Sequence, residues 1–284
     1  MKNNLRCNSF ACLLRGATAL LVLVPVLGGA TTVEEDMVWT GGLRHAYFGD
    51  RPITVSDDLI VLDAPERAED AAIVPISITA QIAQTDERYI KTVYLIVDKN
   101  PGPLAGTFRF TPKSGRADLA FRIRINAYSP IRAIAEMNNG DLFMSRRFIK
   151  ATGGCSAPAG ADLDAAMARL GKIKLKTNSE LKFAEPNSAQ LMISHPNLSG
   201  MQMNQVTQIY APAHFVRHVK VSYEGEEVFS AETGFGISEN PNFRFFFVPE
   251  NEGQLIAEVT DTKDLRFTQT LDVVPADRHE LVNN

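Results

Sequence analysis

The chain has 284 residues, of which 45% are hydrophobic and 22% charged, and its 29 basic and 33 acidic side chains give a formal net charge of −4. This composition excludes a disordered, collagen-like or disulfide-stapled chain, and the length allows one or two domains. The acidic balance leaves no strong positive field to hold nucleic acid, so no nucleic-acid partner is expected. The chain has three cysteines, Cys7, Cys12 and Cys155.

Residues 1–30 are predicted to be a cleavable secretory signal. Basic residues at 2, 6 and 15 precede an apolar run at 17–26, and small residues lie at 28–30. The run is shorter than the roughly 20 residues that span a bilayer, so we expect export without a membrane anchor. No Arg-Arg pair precedes the run, which favours the general secretion route. Cleavage after Ala30 would remove Cys7 and Cys12 and lower the net charge to −7, leaving Cys155 as the one cysteine of the mature chain.

The first half, 31–152, is predicted to contain a series of short strands. Residues 31–58 are polar and irregular, with Trp39 and Tyr47 expected to pack onto the strands after them. From residue 59 the segments are rich in Val, Ile, Phe and Tyr, are separated by turn residues, and show no helical period between them. This pattern favours an antiparallel β-sandwich. The predicted strands are 59–63, 72–81, 90–98, 106–111, 117–125, 129–137 and 142–151.

The composition changes at 153–172, where we predict a Gly-rich linker that carries Cys155 and then a short helix. Residues 152–160 contain almost nothing that packs, which is typical of a flexible link, and 161–171 is Ala-rich with a glycine at its end. The strand pattern resumes in 173–284. The chain is therefore predicted to be all-β, with two antiparallel sandwiches and the linker between them. The second series of predicted strands is 175–183, 189–195, 213–223, 226–232, 242–248, 253–261 and 265–273.

Cys155 is the main candidate for a functional residue. Gly153 and Gly154 lack a Cβ atom, so they give the backbone freedom and let a partner approach closely. A buried structural cysteine normally lies within an apolar strand, whereas this one lies in a segment with no apparent core. Its ordinary pKa of about 8.5 leaves little thiolate at neutral pH, which suits loading by another enzyme better than fast turnover. An incidental loop cysteine is the alternative.

Other clusters are expected to be structural. His214 and His218 lie four residues apart on a predicted strand and so face one side, with His195 on another strand that could be near. A metal site needs three or four converging ligands, so we predict packing or interface roles and no metal. No nucleophile elbow, phosphate loop, dinucleotide fingerprint or zinc spacing is present, which disfavours catalysis by this chain and indicates no cofactor.

Two further groups of side chains are notable, one aromatic and one basic. The aromatic run Phe243, Phe245, Phe246 and Phe247 indicates core, either a strand buried on both faces or one face pressed against the other sandwich. Five arginines could form a basic face that attracts an anion, although scattered strand charges usually form a solvated face. These are Arg122, Arg124, Arg132, Arg146 and Arg147.

Several motifs of the sequence resemble a known family. The segments VLDAPERAED at 61–70, AIVPI at 72–76 and VYLIVDKNPGPLAGTF at 93–108 resemble the SoxY subunit of the sulfur-oxidation carrier, and Gly153-Gly154-Cys155 resembles its terminal Gly-Gly-Cys-Gly arm. The segments ISHP at 193–196, PAHFV at 212–216 and ISENP at 237–241 resemble the SoxZ partner. The resemblance covers about residues 55–275, in family order.

The resemblance implies immunoglobulin-like sandwiches and a periplasmic, non-catalytic carrier whose Cys155 holds sulfur intermediates covalently for partner enzymes. Two features depart from the family: the arm continues into a second domain rather than ending freely, and Ser156 replaces the glycine expected after the cysteine. The doubly tethered arm should have a shorter reach. The fused form resembles SoxYZ-like carriers associated with quinoprotein (pyrroloquinoline-quinone) dehydrogenases, so its cargo could differ from thiosulfate.

Two other hypotheses stay open. The chain could be an interaction module that scaffolds a quinoprotein dehydrogenase, with an incidental cysteine. It could instead be a thiol oxidoreductase, although it lacks the second cysteine that resolves a mixed disulfide in a Cys-x-x-Cys motif.

Overall fold

The computed structural model describes residues 36–158, 163–178, 180–204 and 208–275. The predicted signal at 1–30 lies outside this part of the chain. Within the described residues, no helix has both the length and the apolar character needed to cross a membrane. The prediction of an all-β chain with few helices is confirmed.

The first half contains eight strands, formed where apolar and polar residues alternate or where apolar residues run together. Seven of them match the predicted strands to within a few residues at each end. The eighth, β1, was not predicted because its three residues are too few to show a period. The strands are β1 (Ile53–Val55), β2 (Ile60–Asp63), β3 (Val74–Ala80), β4 (Ile90–Val97), β5 (Leu104–Phe110), β6 (Leu119–Ile123), β7 (Ser129–Met137) and β8 (Leu142–Ile149).

The described residues of the second half form seven strands, the number predicted, preceded by the short helix Leu163–Ala168. The first strand of this half begins two residues earlier than predicted and ends well before residue 183. The strands are β9 (Ile173–Thr177), β10 (Asn187–Ile193), β11 (Val216–Tyr223), β12 (Glu226–Thr233), β13 (Asn242–Phe247), β14 (Gly253–Asp261) and β15 (Arg266–Val273).

Each of the two sheets runs through both halves of the chain. The nine-stranded sheet has the order β1-β8-β7-β4-β5-β12-β11-β14-β15, and the six-stranded sheet has the order β2-β3-β6-β13-β10-β9. The halves therefore join edge to edge at β5–β12 and at β6–β13. Pairing of edge strands satisfies their backbone N–H and C=O groups and fixes the two halves to one another. The two sandwiches are thus continuous, rather than separate bodies on a flexible link.

The core is continuous across the same seam. Phe108 of β5 contacts Phe121 of β6 at 4.8 Å between ring centroids and Phe243 of β13 at 6.3 Å. Phe243 and Phe245 are fully buried, as is Phe247, whereas Phe246 points to the other face beneath the guanidinium of Arg116. The aromatic run is therefore core, as predicted, but on one face of its strand only.

The segment at 36–48 covers part of the outer face of the nine-stranded sheet. It forms the helical turns Trp39–Leu43 and Arg44–Phe48, and Trp39 and Phe48 are buried against the sheet. The prediction for Trp39 is confirmed, whereas that for Tyr47 is wrong because its side chain remains 39% exposed. This cover also buries Arg132, whose guanidinium lies 4.7 Å from the centroid of the Trp39 ring.

Candidate functional site

Gly153, Gly154 and Cys155, with Ser156, form a short arm that is packed against the first half. The amide of Gly153 donates to the carbonyl of Asn126 at 3.0 Å, and that of Gly154 donates to the carbonyl of Ile125 at 2.9 Å. The chain then turns, and the amide of Ser156 donates to the carbonyl of Gly153 at 3.2 Å. We call this arrangement the closed arm.

Gly154 is required in the closed arm for a steric reason. A Cβ atom at this residue would lie 2.0 Å from the carbonyl oxygen of Ala71 and 2.8 Å from that of Ile125, far inside van der Waals contact. Gly153 has open space around it but adopts a φ of +82°, which favours glycine. The two glycines therefore allow close packing and a turn in the closed arm. Their predicted role in arm flexibility stays a prediction.

Cys155 is completely buried, with 0% of its surface exposed. Its backbone carbonyl accepts a hydrogen bond of 2.6 Å from the hydroxyl of Ser199, which belongs to the second half. Burial raises the pKa of the thiol from 9.0 to about 11, although the nearby charge of Arg124 acts in the opposite direction. The expectation that Cys155 lies outside any core is therefore wrong for the closed arm, because the junction between the halves encloses it.

Arg124 provides the cation at this junction. Its side chain is buried, and its Nη1 donates to three carbonyls of the second half, those of Asn197 (2.8 Å), Ile237 (2.7 Å) and Phe235 (3.2 Å). Burial lowers the pKa of Arg124, whereas Cys155 in its ionised form and the carboxylate of Glu239 act to raise it. Arg124 thus links the strand that supports the arm to the second half.

The loop at 195–199 carries the groups of the second half that meet the arm. Asn197 uses its carbonyl to accept from Arg124, and its side chain donates to the carbonyls of Ile237 and Ser238. Its own amide donates to Nδ1 of His195 at 3.0 Å. Because Asn197 has a φ of +43°, these hydrogen bonds hold a backbone conformation that is uncommon for a residue with a side chain.

Behind this loop lies a buried cluster of His195, His214 and Asp261. Nε2 of His214 lies 2.7 Å from Oδ2 of Asp261, and Nε2 of His195 lies 3.5 Å from the same oxygen. The other carboxylate oxygen accepts the amides of Lys263 and Leu265. The sequence placed His195 near His214, as the structure does, but gave no role to Asp261. Its position at the start of a predicted hairpin was the available signal.

The charge states of this cluster follow from its burial. Burial and the neighbouring His214 lower the pKa of His195 to about 4, so its ring is neutral at pH 7. Burial alone would raise the pKa of Asp261, but hydrogen bonds from His214 and from backbone amides outweigh it and lower the pKa. The carboxylate therefore stays ionised and accepts from both rings.

The cluster offers three donor atoms within 4.8 Å of one another, the minimum for a metal ion. The donor set argues for hydrogen bonding instead. Nδ1 of His195 faces the amide of Asn197 and must be the unprotonated nitrogen, which places the ring proton on Nε2, towards Asp261. A metal at that Nε2 would leave the ring with two unprotonated nitrogens. We therefore interpret the cluster as the support of the 195–199 loop.

The expectation that His214 and His218 face one side is wrong. His218 is exposed and does not share a side with buried His214, because a β-bulge shifts the register of β11 between residues 216 and 218. Of the candidate arginines, the three that are at least partly exposed fit the solvated surface expected of them, whereas Arg124 and Arg132 are buried. The alternative of a common basic face is not formed, because those three are divided between the two sheets. Arg122 lies on β6 in the six-stranded sheet, and Arg146 and Arg147 lie on β8 in the nine-stranded sheet, where they pair with Asp36 and Asp57.

Comparison with protein families assigns both halves. Residues 44–155 match the model of the sulfur oxidation protein SoxY, and residues 175–272 match that of the sulphur oxidation protein SoxZ. The chain carries a SoxY domain followed by a SoxZ domain. The SoxY match ends at Cys155, so the closed arm is the end of the SoxY domain, and Ser199 and Asn197 belong to the SoxZ domain. The resemblance seen in the sequence to both subunits is confirmed.

Solved structures provide three further similarities. The sulfur carrier protein SoxY from Chlorobium limicola f thiosulfatophilum is 24% identical, with a TM-score of 0.33, and the match covers 40% of this chain and 96% of that one. Superoxide reductase (neelaredoxin) from Ignicoccus hospitalis is 17% identical, with a TM-score of 0.31 and coverages of 34% and 94%. A beta-glycosidase from Bacteroides vulgatus is 12% identical, with a TM-score of 0.24 and coverages of 79% and 25%. No curated protein sequence matches the chain.

Proposed function

We propose that this protein is a non-catalytic periplasmic sulfur carrier that holds a covalently attached intermediate on Cys155. The observation that carries the proposal is the position of this thiol. It is the last residue of the SoxY domain, on a short arm held between the SoxY and SoxZ domains. Among the described residues Cys155 is the one cysteine, and its thiol is not in a disulfide. The carrier thus provides an attachment atom, and partner enzymes provide the chemistry.

The closed arm suits storage rather than loading. A fully buried thiol with a pKa of about 11 is almost entirely protonated at neutral pH and has no access to solvent. Loading therefore requires the arm to open. Among the described residues few hydrogen bonds oppose this opening: the amides of Gly153 and Gly154 each donate one to the SoxY domain, and Ser199 donates one to the arm.

The export signal, the periplasmic location and the enzymes that load and unload Cys155 are parts of the same proposal. A quinoprotein dehydrogenase system is the proposed context, on the resemblance of the fused SoxY–SoxZ form to carriers of that type. Tethering at both ends limits how far the arm reaches into a partner. The proposed partners therefore have shallow sites, or bind where the junction opens.

Intact-mass measurement of the protein from its native host tests the carrier. We expect a population with a mass increase that maps to Cys155, is removed by a reductant and is absent from a Cys155→Ser variant. Ser156→Cys in the Cys155→Ser background is a matched control, since it moves the thiol by one residue to an exposed position. An unmodified thiol under all growth conditions, with normal behaviour of Cys155→Ser, would refute the carrier.

The burial of Cys155 favours a second candidate, a scaffold in which this cysteine is inert. In that case the SoxY and SoxZ domains hold a dehydrogenase or its electron acceptor, and the thiol only fills the junction. Co-purification of a partner that survives Cys155→Ser, together with an unmodified thiol, would support this function over the first.

A further inference from the structure

Arg124 is a buried cation without a carboxylate at hydrogen-bond distance. It is 1% exposed, and its side-chain hydrogen bonds to the described residues go to three neutral carbonyls through one nitrogen, Nη1. Among the described residues no ion pair involves Arg124, and its buried Nε has no hydrogen-bond partner. Burying a charge destabilises a protein unless an opposite charge or a full set of hydrogen bonds compensates the loss of hydration.

Arg132 is a second buried arginine of this fold, and its carboxylate partners are those expected of a structural cation. It is also fully buried, on β7, but its guanidinium donates to Asp98 at 2.8 Å and to Asp36 at 2.7 Å. Both carboxylates are thus available to neutralise it. Arg124 has no carboxylate at hydrogen-bond distance, and Glu239 acts on it only from beyond ion-pair distance, so a negative group that enters the junction can pair with Arg124 directly.

Hydrogen bonds place Cys155 near Arg124. The amide of Gly154, the residue before Cys155, donates to the carbonyl of Ile125, the residue after Arg124. The carbonyl of Cys155 accepts from Ser199, which lies in the same loop as Asn197, whose carbonyl accepts from Arg124. The guanidinium favours a negative charge at this sulfur, because Arg124 acts to lower the pKa of the thiol and an ionised Cys155 acts to raise the pKa of Arg124. The SoxZ domain closes the junction through the carbonyls that hold Arg124 and through Ser199.

We infer that Arg124 is the counter-ion for a negative charge on the Cys155 sulfur or on a small group attached to it. This inference rests on the proposed carrier function and narrows its cargo to anionic adducts. An arm with an anionic adduct then returns to the closed position more readily than an arm with a neutral one of equal size. Arg124 is thus a specificity-determining residue, and its free Nε–H is the donor available to the adduct.

Two alkylated forms of the full chain, matched in size, test this inference. In a background with Cys7→Ser and Cys12→Ser, iodoacetate or iodoacetamide modifies Cys155. In each reaction the thiolate sulfur forms a bond to the CH₂ carbon, the C–I bond breaks, iodide leaves, and the thiol proton goes to solvent. The products differ in one terminal atom, a carboxylate oxygen against an amide nitrogen, and so in one negative charge. Intact mass checks that each form is modified once.

We expect the carboxymethyl form to melt about 2–4 °C above the carboxamidomethyl form. In a chain of this size, such a shift corresponds to a tenfold or smaller change in the equilibrium constant of unfolding. Arg124→Gln should abolish the difference, and Arg124→Lys, which keeps the charge, should retain part of it. Arg122→Gln is the matched control, because it removes a charge two residues away that donates to the carbonyl of Asn240, and it should leave the difference unchanged. A purely structural Arg124 would shift both forms equally.

Equal melting temperatures of the two wild-type forms, or a lower one for the carboxymethyl form, would overturn the inference. So would a difference that survives Arg124→Gln. If Arg124→Gln does not fold, the wild-type pair and Arg124→Lys still decide the question. Because the adducts are installed chemically, the outcome does not depend on finding a native group on Cys155, and failure of the carrier function is detected separately by intact mass.

Discussion

Replacing Gly154 by alanine tests whether the closed arm protects Cys155. The new Cβ atom would lie 2.0 Å from the carbonyl oxygen of Ala71 and 2.5 Å from its carbon. These are backbone atoms, which cannot rotate aside as the end of a flexible side chain can. The arm must therefore leave the closed position, while the sheets of both domains remain intact.

The size of the effect follows from the thiol. Burial raises the pKa of Cys155 from 9.0 to about 11, so opening the arm increases the thiolate population about 100-fold at neutral pH. We expect the rate constant for alkylation by iodoacetamide at a pH of about 7.5 to rise about 10- to 100-fold in Gly154→Ala, with the upper value for an arm that stays open. The melting temperature should fall only a little, because the arm makes few hydrogen bonds and the strands of both sheets are unchanged.

The assay follows alkylation by intact mass in the background with Cys7→Ser and Cys12→Ser. Gly41→Ala is the matched control. Gly41 has open space around it and does not adopt the positive φ that favours glycine, so the substitution should leave the rate unchanged. Gly153→Ala causes no clash but strains a φ of +82°, and should raise the rate about 5- to 10-fold. Equal rates in wild type and Gly154→Ala would refute the closed arm as the source of protection.

Three further predictions concern the supports of the site. Acidification should destabilise the protein, because the pKa of His195 is lowered from 6.5 to about 4 and the unfolded chain therefore binds a proton that the folded chain excludes. The free energy of unfolding, measured by urea titration, should fall by about 2–3 kcal/mol between a pH of about 6.5 and about 4.5. His195→Gln should flatten this pH dependence. Ser199→Ala should raise the alkylation rate of the thiol about tenfold, since it removes a hydrogen bond to a buried carbonyl, whereas Ser156→Ala at an exposed residue should change it little. Phe108→Ala should lower the free energy of unfolding by about 3–5 kcal/mol within a single guanidinium transition, and two separate transitions would contradict a shared core.

Much of the fold could be predicted from local patterns. The strands β2–β8 and β10–β15 are segments of 4 to 9 residues in which apolar, β-branched or aromatic residues recur, and turn sequences separate them. Such local patterns are typical of strands. The short β1 and the helical turns at 39–48 show no such pattern. The helix Leu163–Ala168 was predicted from its alanine content and the following Gly171.

The candidate site was predicted less completely. Cys155 and its glycines were identified from a local signal, the small residues around a lone cysteine. Arg124, Ser199 and Asp261 were not assigned to sites of their own, because each acts through a partner more than 25 residues away. Contacts between residues so far apart in the sequence produce no periodic pattern from which they could be predicted. The exposure of His218 also depended on a bulge that alternation alone does not show.

The sequence by itself determined the all-β class, the order of the two domains and the identity of the thiol, because apolar alternation, turn residues and family motifs are local. The continuity of the two sheets through both domains could be seen only in the folded chain, since edge pairing depends on how distant strands meet. The same seam encloses Cys155 beside Arg124. Burial removes water from around both groups, and so a cysteine that looked free in the sequence becomes a protected thiol next to a cation.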